Sequence, residues 1–229
     1  MTSPEIAQVA AGPVTYRQAR YQLPHNATEI LLVRHGESAP AVIGEAFPLV
    51  DGHGDPPLAP AGVVQANRVA DHLVKARIDA IYVTTLQRTV QTAAPLAARL
   101  ALTPTVCADL REVYLGEWEG GLFRQRVAEN DPVAVRMRAE QRWDVIPGGE
   151  PTADLSARVR RGIERIATAH PDQRVAVFTH GGVIGQIMAE ATGSGPFAFA
   201  GADNGSVSRV VVTDMGWVVR GYNDIGHLA

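Results

Sequence analysis

Cysteine is almost absent from this chain of 229 residues, Cys107 being the only one. A single thiol excludes an intrachain disulfide and any metal site built from several cysteines, and it makes a reducing, cytoplasmic setting the expectation. Apolar runs of membrane-spanning length are missing too. So is a surplus of charge, since 21 Lys and Arg against 24 Asp and Glu leave a formal charge of −3. With no basic stripe and no polybasic segment, neither a nucleic acid nor a membrane surface is an expected partner, and any anion site has to be a local pocket. What is present is a globular composition, 46% apolar and 20% charged, in a length that can bury one substantial core. Residues 1–28 carry Glu5 inside their most apolar stretch and no basic start before it. They read as an N-terminal extension and not as a secretory signal, which leaves 29–229 as one domain.

Ile30 to Val33 is an apolar, β-rich run without alternation, the pattern of a short strand buried on both faces of a mostly parallel sheet. It ends in Arg34, His35 and Gly36, at the carboxyl end of a strand, where open α/β sheets place their ligands. A guanidinium forks onto a phosphate or carboxylate, a neutral imidazole can attack phosphorus, and a glycine lets the backbone approach a ligand. Alone, such a triplet reads more readily as a solvated loop. A second strand, Val175 to Phe178, also ends in a histidine and glycines, His180, Gly181 and Gly182, and runs into an apolar helix from Val183 to Ala191. Two strands that each deliver a His-Gly at their carboxyl ends are hard to ascribe to chance.

Between them, Ala39 to Pro60 is aperiodic and rich in Pro and Gly, which predicts a long loop over the carboxyl edge of the sheet. Asp51, His53 and Asp55 alternate in it, and among glycines they read as a turn before they read as a metal site. Helical spacing runs from Pro60 to Arg77 and a short strand from Ala80 to Val83. Thr85 is placed to cap the next helix, which carries Arg88 in its first turn, where added positive charge makes sense chiefly beside an anion. Pro95 predicts a kink or break in it. Thr105 to Cys107 is a candidate third strand. Leu110 to Gly121 is too dense in glycine and carboxylates for a regular element, and offers Glu112, Glu117 and Glu119 as acids.

Leu122 to Trp143 reads as one or two helices broken near Asp131-Pro132, within an insertion over residues 121–146 that lies across the site. Its arginines, Arg124, Arg126, Arg136, Arg138 and Arg142, are nearly cancelled by neighbouring carboxylates, as on a solvated face. Thr152 can cap a helix that continues to His170-Pro171. Ser206 to Thr213 and Trp217 to Tyr222 read as a hairpin at the sheet edge. The alternation predicts an α/β fold, a mostly parallel central sheet flanked by helices on both faces, with an antiparallel edge.

Several pieces occur in one fixed order. They are Leu32-Val33-Arg34-His35-Gly36-Glu37-Ser38; Pro57-Leu58 with Gly62 and Gln65-Ala66; Leu86-Gln87-Arg88-Thr89 with Gln91-Thr92-Ala93; Leu110-Arg111-Glu112 with Gly116-Glu117-Trp118-Glu119-Gly120; Pro147-Gly148-Gly149-Glu150; and Thr179-His180-Gly181-Gly182. As an ordered set they resemble the histidine phosphatase superfamily, in its branch 1, which includes cofactor-dependent phosphoglycerate mutase. The resemblance covers the chain from about Glu29 to the end and implies a phosphoglycerate mutase-like fold. It implies a phosphatase acting on a small phosphorylated molecule, with no metal and no cofactor, favouring mildly acidic pH, and it leaves a homodimer open.

In that resemblance His35 is the nucleophile that becomes phosphorylated. Arg34, Arg88, His180 as an imidazolium, and Gly181 surround the phosphoryl group, and Glu112 is the proton donor to the leaving oxygen and then the base that activates water. His35 must be neutral at its attacking nitrogen, and a hydrogen bond from its other ring nitrogen to a backbone carbonyl would fix that tautomer. Ala39-Pro40-Ala41-Val42-Ile43-Gly44 stands where the resembled mutases carry asparagine and threonine substrate contacts, and their region after the acid glutamate is longer. Both departures favour a phosphatase over a mutase. A non-catalytic member that only bound phosphorylated ligands would have no need of Glu112. Ala59-Pro60 stands where relatives usually place a helix-capping threonine.

Overall fold

The structure is a computed structural model in which residues 15–229 are described, so the first 14 residues of the expected N-terminal extension lie outside the described residues. The fold is organised about β1 (Thr28–Arg34), which has a hydrogen-bonded neighbour strand on each side. It pairs in parallel with β6 (Arg174–Thr179) and antiparallel with β7 (Val207–Thr213). The complete sheet has the order β5-β4-β6-β1-β7-β8, with β4 (Ala80–Val83) and β5 (Thr105–Val106) extending the parallel part and β8 (Gly216–Asp224) closing the antiparallel edge.

Alternate residues of β1 feed opposite faces, as a strand's period of two requires. Ile30 and Leu32 join Leu155, Val159 and Ile163 of α5 (Thr152–Ala169) and Val183, Ile184 and Ile187 of α6 (Gly181–Thr192). Leu31 and Val33 join Val69 and Leu73 of α1 (Pro60–Leu73) and Ala93 and Leu96 of α2 (Gln87–Leu100). Full burial of each such aliphatic side chain contributes about 1.5–3 kcal/mol, which is why an unalternating run was the right sign of a central strand. A third, smaller core joins Trp118, Val145 and Ile146 to Ala134 and Met137 of α4 (Pro132–Glu140), beside α3 (Leu122–Ala128). No helix among the described residues is long and apolar enough to cross a membrane.

Several local expectations need correction. Helix α1 ends at Leu73, not Arg77, and its N-cap Ala59 makes no side-chain capping bond. Helix α2 runs through Pro95 without a break, its buried face of Thr92, Ala93, Leu96 and Ala97 holding it on the sheet. Thr85 does not cap it. The first free N–H, on Gln87, donates at 2.8 Å to Asp55 Oδ1, a residue brought in by the long loop. Thr152 is likewise the first residue of α5 rather than its cap. By contrast Asp131 caps α4 by accepting from the Val133 N–H at 2.8 Å. Inside the 39–60 loop, β2 (Leu49–Val50) and β3 (His53–Gly54) form a small hairpin turned by Asp51 and Gly52, both at positive φ.

The sharpest constraint on the fold is a place where two backbones touch. A Cβ on Gly36 would meet the Gly62 carbonyl oxygen at 2.5 Å, and one on Gly62 would meet the Glu37 carbonyl oxygen at 2.0 Å. The loop after β1 and the first turn of α1 are therefore packed without side chains between them. Gly36 was expected to make room for a ligand, and it makes room for α1. Gly62→Ala should lower unfolding stability by about 2 kcal/mol or more through overpacking of rigid backbone. Gly221→Ala, where nothing lies within 4 Å of the added methyl, should change it far less. Urea unfolding of both variants checks this, and equal midpoints would refute it.

Candidate active site

The carboxyl ends of β1 and β6 lie side by side, so the two His-Gly turns meet at one point. His35 follows β1 and is 5% exposed, while His180 follows β6, is fully buried and caps α6. Their ring centroids are 5.2 Å apart. The His35 Nδ1–H donates to the Gly36 carbonyl at 2.7 Å, which leaves the lone pair on Nε2. Arg88, in the first turn of α2, directs its Nε toward that nitrogen at 3.3 Å and donates from Nη1 to the Gly54 carbonyl at 2.9 Å. Arg34, the last residue of β1, donates to the Ala202 carbonyl. Its Nε is buried without a partner, and so is Nδ1 of His180. The space a Gly181 Cβ would occupy lies 3.4 Å from that Arg34 Nε. Buried polar atoms are nearly always hydrogen-bonded, so unpartnered nitrogens on Arg34 and on His180, beside His35, fit an anionic ligand at this cluster.

Electrostatics fix the protonation states. Burial, and then the charges of Arg88 and Arg34, push His35 well below the usual histidine range, against the opposing pull of its bond to Gly36. Burial and the same two arginines, with His35 itself, do likewise to His180. Without a bound anion, the pocket therefore disfavours the imidazolium expected at His180. An arriving dianion is the charge that would reverse this at His180. His180 Nε2 lies 3.0 Å from Thr84 Oγ1, in a buried cluster with Thr89.

Glu112 approaches from the segment between β5 and α3. Its carboxylate accepts from the Val113 N–H at 3.0 Å and, more weakly, from the Gly182 N–H at 3.5 Å. A Cβ on Gly182 would stand 2.7 Å from Glu112 Oε1, so the second glycine of that turn admits the acid. Burial lowers the pKa of Arg34 and of Arg88, and the charge of Glu112 is the largest influence opposing it in each. The Glu112 backbone is fixed by Arg158, which donates to its carbonyl at 3.0 Å and pairs with Glu150 at 2.6 Å. Glu150, from the Pro147-Gly148-Gly149-Glu150 turn, also accepts from the Tyr114 N–H. Of the other two acids, Glu119 accepts from the Leu115 and Gly54 N–H groups. It thus ties two walls together.

All of Arg34, His35, Arg88 and Glu112 line one cleft of about 1040 Å³. Two further residues of its lining were not singled out by sequence. Asn204, just before β7, donates to the His35 carbonyl at 2.9 Å. Arg124 was expected on a solvated face with its neighbours, and Arg126, Arg136 and Arg142 do pair with nearby carboxylates. Arg124 instead turns into the cleft, donating to Ser38 Oγ at 2.8 Å and the Ala39 carbonyl at 2.7 Å. No sequence signal separates it from its neighbours, since they share the same helical charge pattern. The Asp51, His53 and Asp55 triplet is dispersed: Asp51 pairs with Arg111, His53 stacks edge-on to Tyr114, and Asp55 caps α2.

Comparison with known proteins agrees with this geometry. The sequence model described as histidine phosphatase superfamily (branch 1) matches residues 30–225. Two Arabidopsis thaliana proteins align over most of both chains. "Phosphoglycerate mutase-like protein 4" is 35% identical over 87% of this chain and 86% of its own. "Metal-independent phosphoserine phosphatase" is 33% identical over 88% and 84%. Among solved structures, a mycobacterial glucosyl-3-phosphoglycerate phosphatase in complex with VO3 superposes with a TM-score of 0.72 at 26% identity, over 85% of this chain and 98% of that one.

The two neutral histidines carry a prediction about stability. Both have folded pKa values below the unfolded value of about 6.5, so as pH falls through 6.5 the unfolded chain takes up protons that the folded chain refuses. Unfolding free energy should be level above neutrality and fall as pH drops below 6.5. His180→Gln, uncharged in both states, should reduce that slope by up to about 1.4 kcal/mol per pH unit. Urea unfolding at half-unit steps measures it, and an unchanged slope would mean that His180 is already protonated in the fold.

Proposed function

The chain belongs to branch 1 of the histidine phosphatase superfamily, and from that premise we propose that it hydrolyses phosphomonoesters through a phosphohistidine formed on His35. The observation that carries the reading is the state of His35: held below the usual histidine range, tied at Nδ1 to the Gly36 carbonyl, with its Nε2 lone pair facing the Arg88 guanidinium. That is what an attacking nitrogen needs.

In the first step His35 Nε2 forms a bond to phosphorus while the ester P–O bond breaks, and the departing alcohol oxygen takes its proton from Glu112. In the second, water attacks the phosphohistidine, gives a proton to the Glu112 carboxylate, and the P–N bond breaks to release phosphate and restore His35. Charge spreads over the three equatorial oxygens in each transfer, and Arg34, Arg88 and His180 are fixed beforehand to meet it, so no reorganisation is needed at the moment of reaction. The partnerless Arg34 Nε and His180 Nδ1 supply directed donors for those oxygens. Burial and the neighbouring arginines hold His35 below the usual histidine range, which favours a nucleophile that stays available in mildly acidic conditions. The buried thiol of Cys107 fits a reducing, cytoplasmic setting.

Hydrolysis is favoured over isomerisation by the cleft wall after Arg34-His35-Gly36, where Pro40, Ala41, Val42 and Ile43 offer nothing to hold a small acid while it reorients. With 3-phosphoglycerate and catalytic 2,3-bisphosphoglycerate, free phosphate should exceed any 2-phosphoglycerate formed. Rapid isomerisation with little phosphate would make the protein a mutase. Arg88→Lys should cost about 10²-fold or more in kcat, because a point charge replaces a planar fork on the transferring group. Glu112→Gln should slow alkyl esters far more than aryl phosphates, whose leaving oxygen needs little protonation. Equal losses on both ester classes would remove Glu112 from the acid role.

A further inference from the structure

Outside the phosphoryl pocket, the cleft is built to receive apolar surface. The loop after the nucleophile folds back at Val42 and Glu45 about Gly44, placing Ile43 at its tip with 81% of its surface exposed. Facing it are Phe47 from the same loop, Leu122 and Phe123 from α3, and Trp143 after α4. Phe123 sits 6.2 Å from Trp118 and 6.1 Å from Trp143, centroid to centroid, so the aromatic wall is braced from behind by the third core. Apolar side chains left open beside a reacting centre are the pattern of a binding surface.

The charges around the same cleft decide what kind of molecule fits. Among the described residues that line it, the arginines are Arg34, Arg88 and Arg124. The first two belong to the phosphoryl pocket. Arg124 has both terminal nitrogens committed to Ser38 and Ala39 and its guanidinium laid 5.3 Å from the centroid of the Phe47 ring. It anchors the wall, and each terminal nitrogen has one N–H already engaged there, which weakens its hold on a second anion. Glu37, Glu45, Glu119 and Glu129 line the cleft as well and repel one.

Resting on the phosphatase reading above, we infer that the preferred substrates are phosphomonoesters of bulky, apolar alcohols, aliphatic or aromatic, with no carboxylate or second phosphate on the alcohol part. Ile43, Phe47, Leu122, Phe123 and Trp143 set this preference.

The test is a pair of series measured on the full chain. Binding of ethyl-, butyl- and hexylphosphonate, which cannot be hydrolysed, is followed by calorimetry, and kcat/KM is measured for the matching alkyl phosphates and for phosphoserine. Each added methylene should improve both quantities about threefold, or about 10²-fold from ethyl to hexyl. Hexyl phosphate should exceed phosphoserine. Phe123→Ala and Ile43→Ser should each flatten the series, lowering the gain per methylene below that of wild type. A flat binding series, or phosphoserine outrunning hexyl phosphate, overturns the inference and leaves the phosphatase standing. A steep binding series with no hydrolysis of any ester supports the apolar wall and overturns the phosphatase reading instead.

Discussion

The structure turns on one short hydrogen bond, from the His35 Nδ1–H to the Gly36 carbonyl at 2.7 Å. It selects the tautomer, aims the ring and leaves Nε2 without a proton, facing Arg88 Nε. A carbonyl can do this only if its own position is fixed, and Gly36 is fixed by contact with the Gly62 backbone and by its N–H, which donates at 3.0 Å to Thr92 Oγ1 on α2. Thr92 in turn donates to the carbonyl of Arg88. The residue that holds the nucleophile's loop therefore also holds the backbone of the arginine facing it. Two glycines and a threonine, none able to touch a phosphoryl group through a charged atom, set the geometry of the charged residues that can.

Burial, and then the charges of Arg88 and Arg34, hold His35 below the usual histidine range, which suits the nucleophilic role proposed for it. The same field acts on His180, and the largest counterweight to burial on both arginines is the charge of Glu112, joined by Asp203 at Arg34 and by Asp55 and Glu119 at Arg88. A carboxylate that balances a cationic pocket has to be held firmly, since a small shift would change the field. Arg158 and Glu150 supply that hold from the far side, through the backbone, and Gly182 supplies the room. Electrostatics and sterics are thus set by residues outside the reacting group.

Much of this was legible in the sequence because it lies on strands and at their ends. An unalternating run such as Ile30 to Val33 has one physical meaning, burial on both faces, and two such runs ending in His-Gly place their histidines at adjacent strand termini in a parallel sheet. Arg34, His35, Arg88, Glu112 and His180 accordingly come together in space. What escaped depends on contacts between distant segments. Asp55 capping α2 across the long loop is not written in either segment, and a threonine at residue 85 is the natural local guess. Arg124 differs from Arg126 only by which way α3 turns when it packs beneath Trp143, and Asn204 is an unremarkable loop residue until β7 brings it to the His35 carbonyl. Gly36 was rightly seen as needing no side chain, for a reason that only the approach of α1 reveals.

The central claim is that the Gly36 carbonyl makes Nε2 of His35 the nitrogen that attacks phosphorus. The most direct measurement is the position of phosphorus on the ring. Protein with ¹⁵N-labelled histidine is quenched in base during turnover, and the ³¹P–¹⁵N coupling of the phosphohistidine is read, with mass spectrometry locating the modified residue. Phosphorus on Nε2 of His35 is the expected result. Phosphorus on Nδ1, or on any residue other than His35, would contradict the account.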